Sequence, residues 1–389
     1  MTLKESFVKI GIHDLEVATS HYVLDLDTLA ERHDIDPKKF SIGLGQDTFS
    51  MPAPDEDIVT MAAEAAHTLL ERHDASKIRQ VLFATESSID QSKAAGVYLH
   101  ELLGLPANVR SVELKQACYS GTAALQMAVN AIARNPEEQV LVITSDVARY
   151  ALDSGGEPTQ GAGSVAMLIS ADPNLIEIEP GSGLHTTDVN DFWRPNDSTT
   201  PFVDGQLSLD AYLGATTAAW DDLLARRELG LEDIHRFLHH QPFTKMARKQ
   251  LAALAEHTGT ELSDDLIEES MSYNRALGNT YTASLYFALT AQLHNNSDLA
   301  GKRLGFFSYG SGAVAEFFTG VVQDNYQDHI YPQHVAKQLD NRVALTYDEY
   351  RELHSDFAAT SETFTTTKTT NAPFRLSGVT EHQRRYEAQ

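Results

Sequence analysis

VELKQACYSGTAALQMAVNAIA, residues 112–133, opens as an extended run and turns into an apolar helical pattern. Tyr119, Ala123, Met127, Asn130 and Ala131 fall at helical spacing, which predicts a long helix with that side apolar. Cys118, the only cysteine in 389 residues, sits at the join. Ser120 and Gly121 follow it, small residues that let a ligand come close to the backbone. A thiol at a helix N-terminus feels the positive end of the macrodipole and the free N–H groups of the first turn. That setting lowers a thiol pKa and favours the thiolate, the nucleophilic form. A lone cysteine is also commonly a small, buried, inert side chain. The stretch by itself leaves both readings open.

Outward from it, Phe7–Ile12 and Glu16–Val23 read as short strands, Leu26–His33 as a helix and Ser41–Gln46 as a glycine-bearing turn. Glu56–His73 is strongly helical, with Ile58, Met61, Ala62, Ala65, Leu69 and Leu70 on one side. Val81–Thr85 is a strand that runs into Glu86, followed by a turn and a helix from about Ser92 to Leu103. Gln139–Thr144 is an apolar run of the kind buried in parallel sheets. Ser154–Gly163 is a loop of turn formers, and Ser164–Ser170 another buried strand. Strands alternating with helices predict an α/β sheet.

The second half repeats this rhythm. Helices read at Ser208–Arg226, Phe243–His257 and Thr282–Leu293, and strands at Phe237–His239 and Leu304–Tyr309. The turn Gly310–Ser311–Gly312 then leads into an apolar run to Val322. Strand, glycine turn, strand occurs at 140–170 and again at 303–322, which points to an internal duplication. The expected division is therefore a first half at 1–172, a second at 173–325 and an extension at 326–389. In that extension Thr360–Thr370 reads as a linker or an edge strand, and the strand-like Phe374–Val379 returns the tail to the body.

Thirty basic against 55 acidic residues give a formal charge of −25. Such a surface repels nucleic acid and anionic membranes, so neither is expected as a partner. Acidity of this kind also fits a salty or acidic habitat. One cysteine excludes an internal disulfide and fits a reducing compartment. The opening MTLKESFVKIGI lacks a signal pattern, and no apolar run approaches about 18 residues, so a cytoplasmic location is expected.

Further positions could carry chemistry. His240 follows a strand and precedes Pro242, which suits a helix start. There it could act as acid, base or carbonyl polariser, or be an ordinary surface or core histidine. Lys245, Arg248 and Lys249 after it form a positive cluster, suited to phosphate or to a solvated face. Glu86 ends a strand, where a carboxylate partly removed from water has a raised pKa; a capping role is the alternative. Asn279 and Ser311, in glycine turns, could donate hydrogen bonds to a carbonyl or shape the turn. No phosphate loop, paired CxxC or HExxH occurs, and GLGQ at 43–46 is too short for a dinucleotide fingerprint.

Taken together in chain order, Glu86, ACYSGTAA around Cys118, and HHQPFTK resemble the 3-hydroxy-3-methylglutaryl-CoA synthase family of the thiolase superfamily. KKFSIGLGQ, ATESSIDQSK, SDVARYA, EPTQGAGSVAMLI, DFWRP, VDGQLS, GNTYTASLY and FSYGSGAVAEFF carry the likeness over most of the chain. The resemblance implies a thiolase-like, duplicated five-layered αβαβα arrangement, usually a homodimer. It implies Cys118 as acyl-accepting nucleophile, Glu86 as general acid/base and His240 against the acetoacetyl group. Ligand contacts fall by the same resemblance on Asp36, Thr159, Ser208, Lys245, Lys249, Asn279 and Ser311, with the lysines nearest the CoA phosphates. Tyr150, Asp146 and Asp191 match positions near the site. Ser120 stands where eukaryotic members often have glycine, residue 155 is glycine where those members have a polar ligand contact, and the length suits the compact bacterial type.

The implied reaction condenses acetyl-CoA with acetoacetyl-CoA and water, with the CoA thioesters as substrates and no metal or organic cofactor. It belongs to the mevalonate route to isoprenoids. A ketoacyl-carrier-protein synthase III-like enzyme of the same fold is the alternative, although it has no need of Glu86. A thiolase would want a second reactive cysteine, and a catalytically dead acyl-CoA binder would not keep Cys118, Glu86 and His240 intact.

Overall fold

The computed structural model describes residues 8–356 and 362–389; Phe7, where the first strand reading begins, and Thr360–Ser361 lie outside them. The strands are β1 (Ile10–Thr19), β2 (Tyr22–Asp25), β3 (Thr48–Met51), β4 (Ile78–Ala84), β5 (Arg110–Leu114), β6 (Gln139–Ala148), β7 (Gly161–Ala171), β8 (Ile176–Ile178) and β9 (Gly183–Thr186). Then come β10 (Phe192–Trp193), β11 (Phe202–Val203), β12 (Arg236–His239), β13 (Arg303–Gly310), β14 (Val314–Val322), β15 (Val343–Ala344), β16 (Phe364–Thr365), β17 (Phe374–Thr380) and β18 (Gln383–Ala388). The helices are α1 (Leu26–Arg32), α2 (Lys38–Ser41), α3 (Ile58–Leu70), α4 (Ala95–Leu102), α5 (Ser120–Arg134) and α6 (Gly205–Arg226). They continue with α7 (Met246–Thr258), α8 (Ser272–Leu277), α9 (Ser284–Asn295), α10 (Pro332–Asp340) and α11 (Tyr347–Asp356).

Two local readings change. The opening pair of short strands is one strand, β1, because a bulge between Ile12 and Asp14 absorbs the polar break at His13–Asp14. The buried Asp14 carboxylate is paired with Arg72 at 2.9 Å and His73 at 2.7 Å, which is what lets a charge sit inside a strand. The buried side of α5 is also not the one its spacing suggested. Gly121, Ala124, Leu125, Ala128 and Ile132 face the sheet, whereas Met127 is 54% exposed. Small residues win that face because the approach is close. A Cβ on Gly121 would lie 2.7 Å from the Thr144 methyl and 2.8 Å from the Thr282 carbonyl.

Strands run in the order β12-β13-β14-β8-β1-β7-β6-β4-β5, with β9 also on β14, in one hydrogen-bonded sheet of ten strands. In the first half β4 lies parallel to β6, β6 antiparallel to β7 and β7 antiparallel to β1. In the second half β12 lies parallel to β13, β13 antiparallel to β14, and β14 antiparallel to β9. Each half reaches its hairpin through a buried helix, α5 before β6 and α9 before β13. The duplication glimpsed in the glycine turns is thus a repeat of topology. β6 is in a mixed rather than a purely parallel setting, which its apolar run alone could not reveal.

Five layers follow from the cores. One cluster joins α5 and α9 with β1, β4, β6 and β7 on one side and β12, β13 and β14 on the other. Residues Ser284–Leu293 of α9 are buried all round, as a helix between two sheet faces must be. A second cluster packs α3 and α4 on the outer face of the first half, and a third packs α6 and α7 on the outer face of the second.

Past residue 325 the chain lies against the first half. β15 adds to β2, and α11 inserts Tyr350 beside Phe49. The β17–β18 hairpin is tied to the start of α3: Leu376 N–H donates to the Asp55 carbonyl at 2.8 Å, and Arg384 pairs with Asp57 at 3.0 Å. No helix among the described residues is long and apolar enough to cross a membrane.

Candidate active site

The carboxyl ends of parallel strands are the usual place for a site in an α/β sheet. Glu86 follows β4, Cys118 follows β5, Tyr150 follows β6, His240 follows β12 and Ser311 follows β13. Asn279 lies in the turn ahead of α9. The halves meet where the Gln116–Tyr119 loop abuts the β13–β14 turn. Gln116 Nε2 donates to the Ser311 carbonyl at 3.2 Å, and a Cβ on Gly310 would lie 2.5 Å from the Gln116 carbonyl.

Cys118 Sγ is 3.3 Å from Glu86 Oε2, with the thiol donating. Cys118 as a residue is half-buried. The expectation of a thiolate favoured by the helix terminus does not hold. Burial first, and then the adjacent Glu86 carboxyl, push the thiol well above its ordinary value. The first-turn N–H groups cannot offset this, since Tyr119 and Ser120 donate to the Gln116 and Ala117 carbonyls instead. Ala117 itself is held at φ +43°, a left-handed conformation that sets the turn. Glu86 is pushed up to about 8, by burial first and by the Asp146 carboxylate second, against the opposing pull of the Cys118 hydrogen bond and Arg194.

Asp146 does the positioning here. It accepts from Thr85 Oγ1, Glu86 N–H, Ser87 N–H and Ser87 Oγ at 2.8–2.9 Å, and from Thr282 N–H at 3.0 Å. One buried carboxylate therefore fixes the Glu86 turn from the first half and the Thr282 turn from the second.

His240 is buried, and desolvation pulls its pKa down to about 3, so the ring is neutral. Its Nδ1 has no hydrogen-bond partner among the described residues. It makes no direct hydrogen bond to Cys118 or Glu86; its place is set by the Tyr212 hydroxyl, which donates to its carbonyl at 2.6 Å. Tyr212 packs 4.9 Å from Tyr309, and the Tyr309 hydroxyl donates to the buried Asp191 at 2.9 Å. Asp191 also accepts from Gly312 N–H at 2.9 Å and from Ser208 at 3.4 Å. Asn279 donates to the Tyr150 hydroxyl at 3.2 Å and accepts from Tyr281 N–H at 2.9 Å. Tyr150, Phe192 and Tyr281 form an aromatic wall beside Cys118. Among the described residues, the main-chain N–H of Ser311 donates to no other protein group, and that of Cys118 lies against its own sulfur.

Other sequence candidates lie further out. The Thr159 hydroxyl closes its own turn on Gly156, and its carbonyl receives Asn279 N–H at 3.1 Å. Asp36 is exposed and caps the start of α2 through Lys38 N–H at 2.9 Å. Lys245 N–H bonds to the Leu44 carbonyl at 2.8 Å, which brings α7 beside the α2 region. The basic cluster divides: Arg248 is paired with Asp264, whereas Lys245 and Lys249 have no carboxylate partner among the described residues. His33, Asp153 and Glu157 bring possible metal-ligand atoms within 4.8 Å of one another. Asp153 already pairs with Arg351, and Glu157 accepts from Tyr350 and from Asp153 N–H.

Two participants escape a reading by residue type. Phe192 looks like a generic apolar residue. Arg194, exposed on the β10–β11 hairpin, reaches the Glu86 carbonyl with Nη2 at 2.7 Å. The only sequence signal for either is the compact DFWRP run.

Residues 7–174 match the family model of the hydroxymethylglutaryl-coenzyme A synthase N-terminal domain, and 176–258 with 256–386 match that of the C-terminal domain. The chain is similar to the hydroxymethylglutaryl-CoA synthase of Enterococcus faecalis, 44% identical over 358 residues, covering 91% of this chain and 93% of that one. A crystal structure of HMG-CoA synthase complexed with CoA superposes with a TM-score of 0.93 at 38% identity, covering 98% and 100% of the two chains. A structure of MvaS in complex with 3-hydroxy-3-methylglutaryl coenzyme A does so with 0.90 at 34%, covering 98% and 99%.

Proposed function

The chain belongs to the hydroxymethylglutaryl-coenzyme A synthase family, and from that premise we propose that Cys118, Glu86 and His240 carry its reaction. The enzyme condenses acetyl-CoA with a second thioester, acetoacetyl-CoA, and with water, giving 3-hydroxy-3-methylglutaryl-CoA and free CoA. The fold is thiolase-like. The observation that supports these residue roles is the 3.3 Å contact of Cys118 Sγ and Glu86 Oε2, with a buried, neutral His240 whose Nδ1 has no partner among the described residues at the end of β12.

Glu86 as carboxylate takes the thiol proton, and the sulfur attacks the acetyl carbonyl. The same proton leaves on the CoA thiol, so Glu86 is a carboxylate again when the acetyl group rests on Cys118. It then removes a proton from the acetyl methyl. The N–H groups of Cys118 and Ser311 receive the enolate oxygen, each such donor being worth about 3 kcal/mol. The enolate carbon attacks the ketone of acetoacetyl-CoA, which His240 and Asn279 polarise, and the alkoxide so formed takes up the proton that Glu86 removed from the methyl. Water then releases the product from Cys118. Asp191, Ser208, Tyr150 and Thr159 shape the acyl end. Lys245 and Lys249, the cations left unpaired, meet the CoA phosphates, with Asp36 close to that end. No metal or organic cofactor enters this scheme.

The place of the reaction is the mevalonate route, in the cytoplasm. The division at 1–172, 173–325 and 326–389 gives two halves that share the chemistry and an extension that braces the first. A homodimer is supported by the free edge strand β5, where Val112 is 41% exposed, and by the exposed Met127 nearby in sequence.

Replacement tests the assignment. Cys118→Ala abolishes acetylation by radiolabelled acetyl-CoA, whereas Glu86→Ala acetylates more slowly than the native enzyme and, once acetylated, does not condense. Retained labelling in the first variant, or near-native condensation in the second, would falsify the roles.

A further inference from the structure

Four consecutive residues of the DFWRP run reach four different surroundings. Asp191 is buried and fastened to Tyr309 and to Gly312 N–H, both at 2.9 Å. Phe192 packs 6.0 Å from Tyr150 and 6.1 Å from Tyr281, the wall beside Cys118. Trp193 turns outward and stacks on Phe202 at 5.6 Å, which closes the β10–β11 hairpin. Arg194 returns across the crevice to the Glu86 carbonyl at 2.7 Å. The run is therefore a strap from the second half to the base carried by the first.

The Glu86 peptide flanks are held from two directions. Asp146 Oδ1 takes its N–H at 2.8 Å and Arg194 takes its carbonyl, so the strand-end turn has no slack to rotate the carboxyl away from Cys118. The guanidinium is exposed and makes no ion pair among the described residues, so its charge is not spent on a neighbouring acid. We infer that Arg194 is a positioning residue of the condensation, which fixes the turn that aims Glu86 at Cys118 and sets a positive charge beside that base. Of the groups that act on the Glu86 carboxyl, Arg194 is the one cation, and it opposes the two carboxylates Asp146 and Asp191. This inference rests on Glu86 serving as the base.

The test is a pH profile of condensation for Arg194→Ala and Arg194→Lys, with Glu86→Ala in parallel and acetylation of Cys118 measured by mass. Without the cation the carboxyl ionises less readily, so the acid limb of kcat for Arg194→Ala moves to higher pH. The plateau falls roughly ten- to a hundred-fold from misplacement of the base. Lysine restores the position of the limb and only part of the plateau, because it keeps the charge and loses the planar fork. The end-point extent of Cys118 acetylation, as distinct from its rate, stays at the native level in both variants. An unchanged limb and plateau in Arg194→Ala, or a change confined to KM for the thioester, overturns the inference. Condensation retained by Glu86→Ala overturns the underlying role of Glu86 instead, whatever the arginine variants do.

Discussion

Cys118 and Glu86 are held in their protonated forms by the same burial, and neither reacts until one proton leaves the pair. For a carboxyl raised to about 8, the base form is present above that pH and lost below it. The rate constant kcat/KM for condensation should therefore fall about ten-fold per unit as pH drops below about 8. A pH series on the free enzyme checks this, and a flat profile down to pH 5 would assign the base elsewhere. The residue types at these places are visible in the sequence, since an acid, a thiol and an imidazole each follow an apolar run. Their protonation is not. It depends on where the Tyr119 and Ser120 N–H groups point and on how closely Asp146 approaches, and neither follows from local pattern. Asp146 itself reads as a polar break at the end of a strand, although it holds turns from both halves.

At the scale of elements, helices and strands announce themselves through period, but the face of a helix is decided by its neighbours. Around α5 the apolar positions 119, 123 and 127 attract the eye, yet the sheet takes Gly121, Ala124, Leu125, Ala128 and Ile132. Close approach also governs the seam between the Cys118 loop and the β13–β14 turn. Gly310→Ala would place a Cβ 2.5 Å from the Gln116 carbonyl and 2.7 Å from Tyr119 N, both backbone atoms that cannot swing aside. The expected loss is about 1–3 kcal/mol of stability from overpacking. Condensation should fall more than ten-fold as the loop carrying the nucleophile shifts. Urea melts and an enolate-absorbance assay on the same variant separate the two effects. A native rate would show that the seam tolerates the displacement.

For the molecule as a whole, the α/β alternation and the repeated strand–turn–strand unit were legible because period and glycine spacing are local. The pairing of β8 was not, since three residues carry no pattern. Nor was the way the extension is fastened, which depends on single acids. Glu56 is one of these: it accepts from His21 N–H, Ala53 N–H and the Thr370 hydroxyl, and so ties the first strands to the tail. Burial raises it from 4.5 to about 7. The folded state thus prefers its protonated form, and the associated stability is complete below about pH 4.5 and lost as pH rises through about 7. A shift of that size corresponds to about 3 kcal/mol. Glu56→Gln should flatten the decline in stability between pH 5 and 8, and melts of both proteins over that range check it. An equally steep decline in the variant would place the titrating group elsewhere. The short strand β8 has a mechanical consequence. Ile176–Ile178 bonds to β1 on one side and β14 on the other, so the two halves are stitched edge to edge rather than hinged. Clamshell rotation about the crevice is thereby ruled out while those bonds persist. With the halves so joined, thioesters reach the site by local displacement of surface segments rather than by separation of the two bodies.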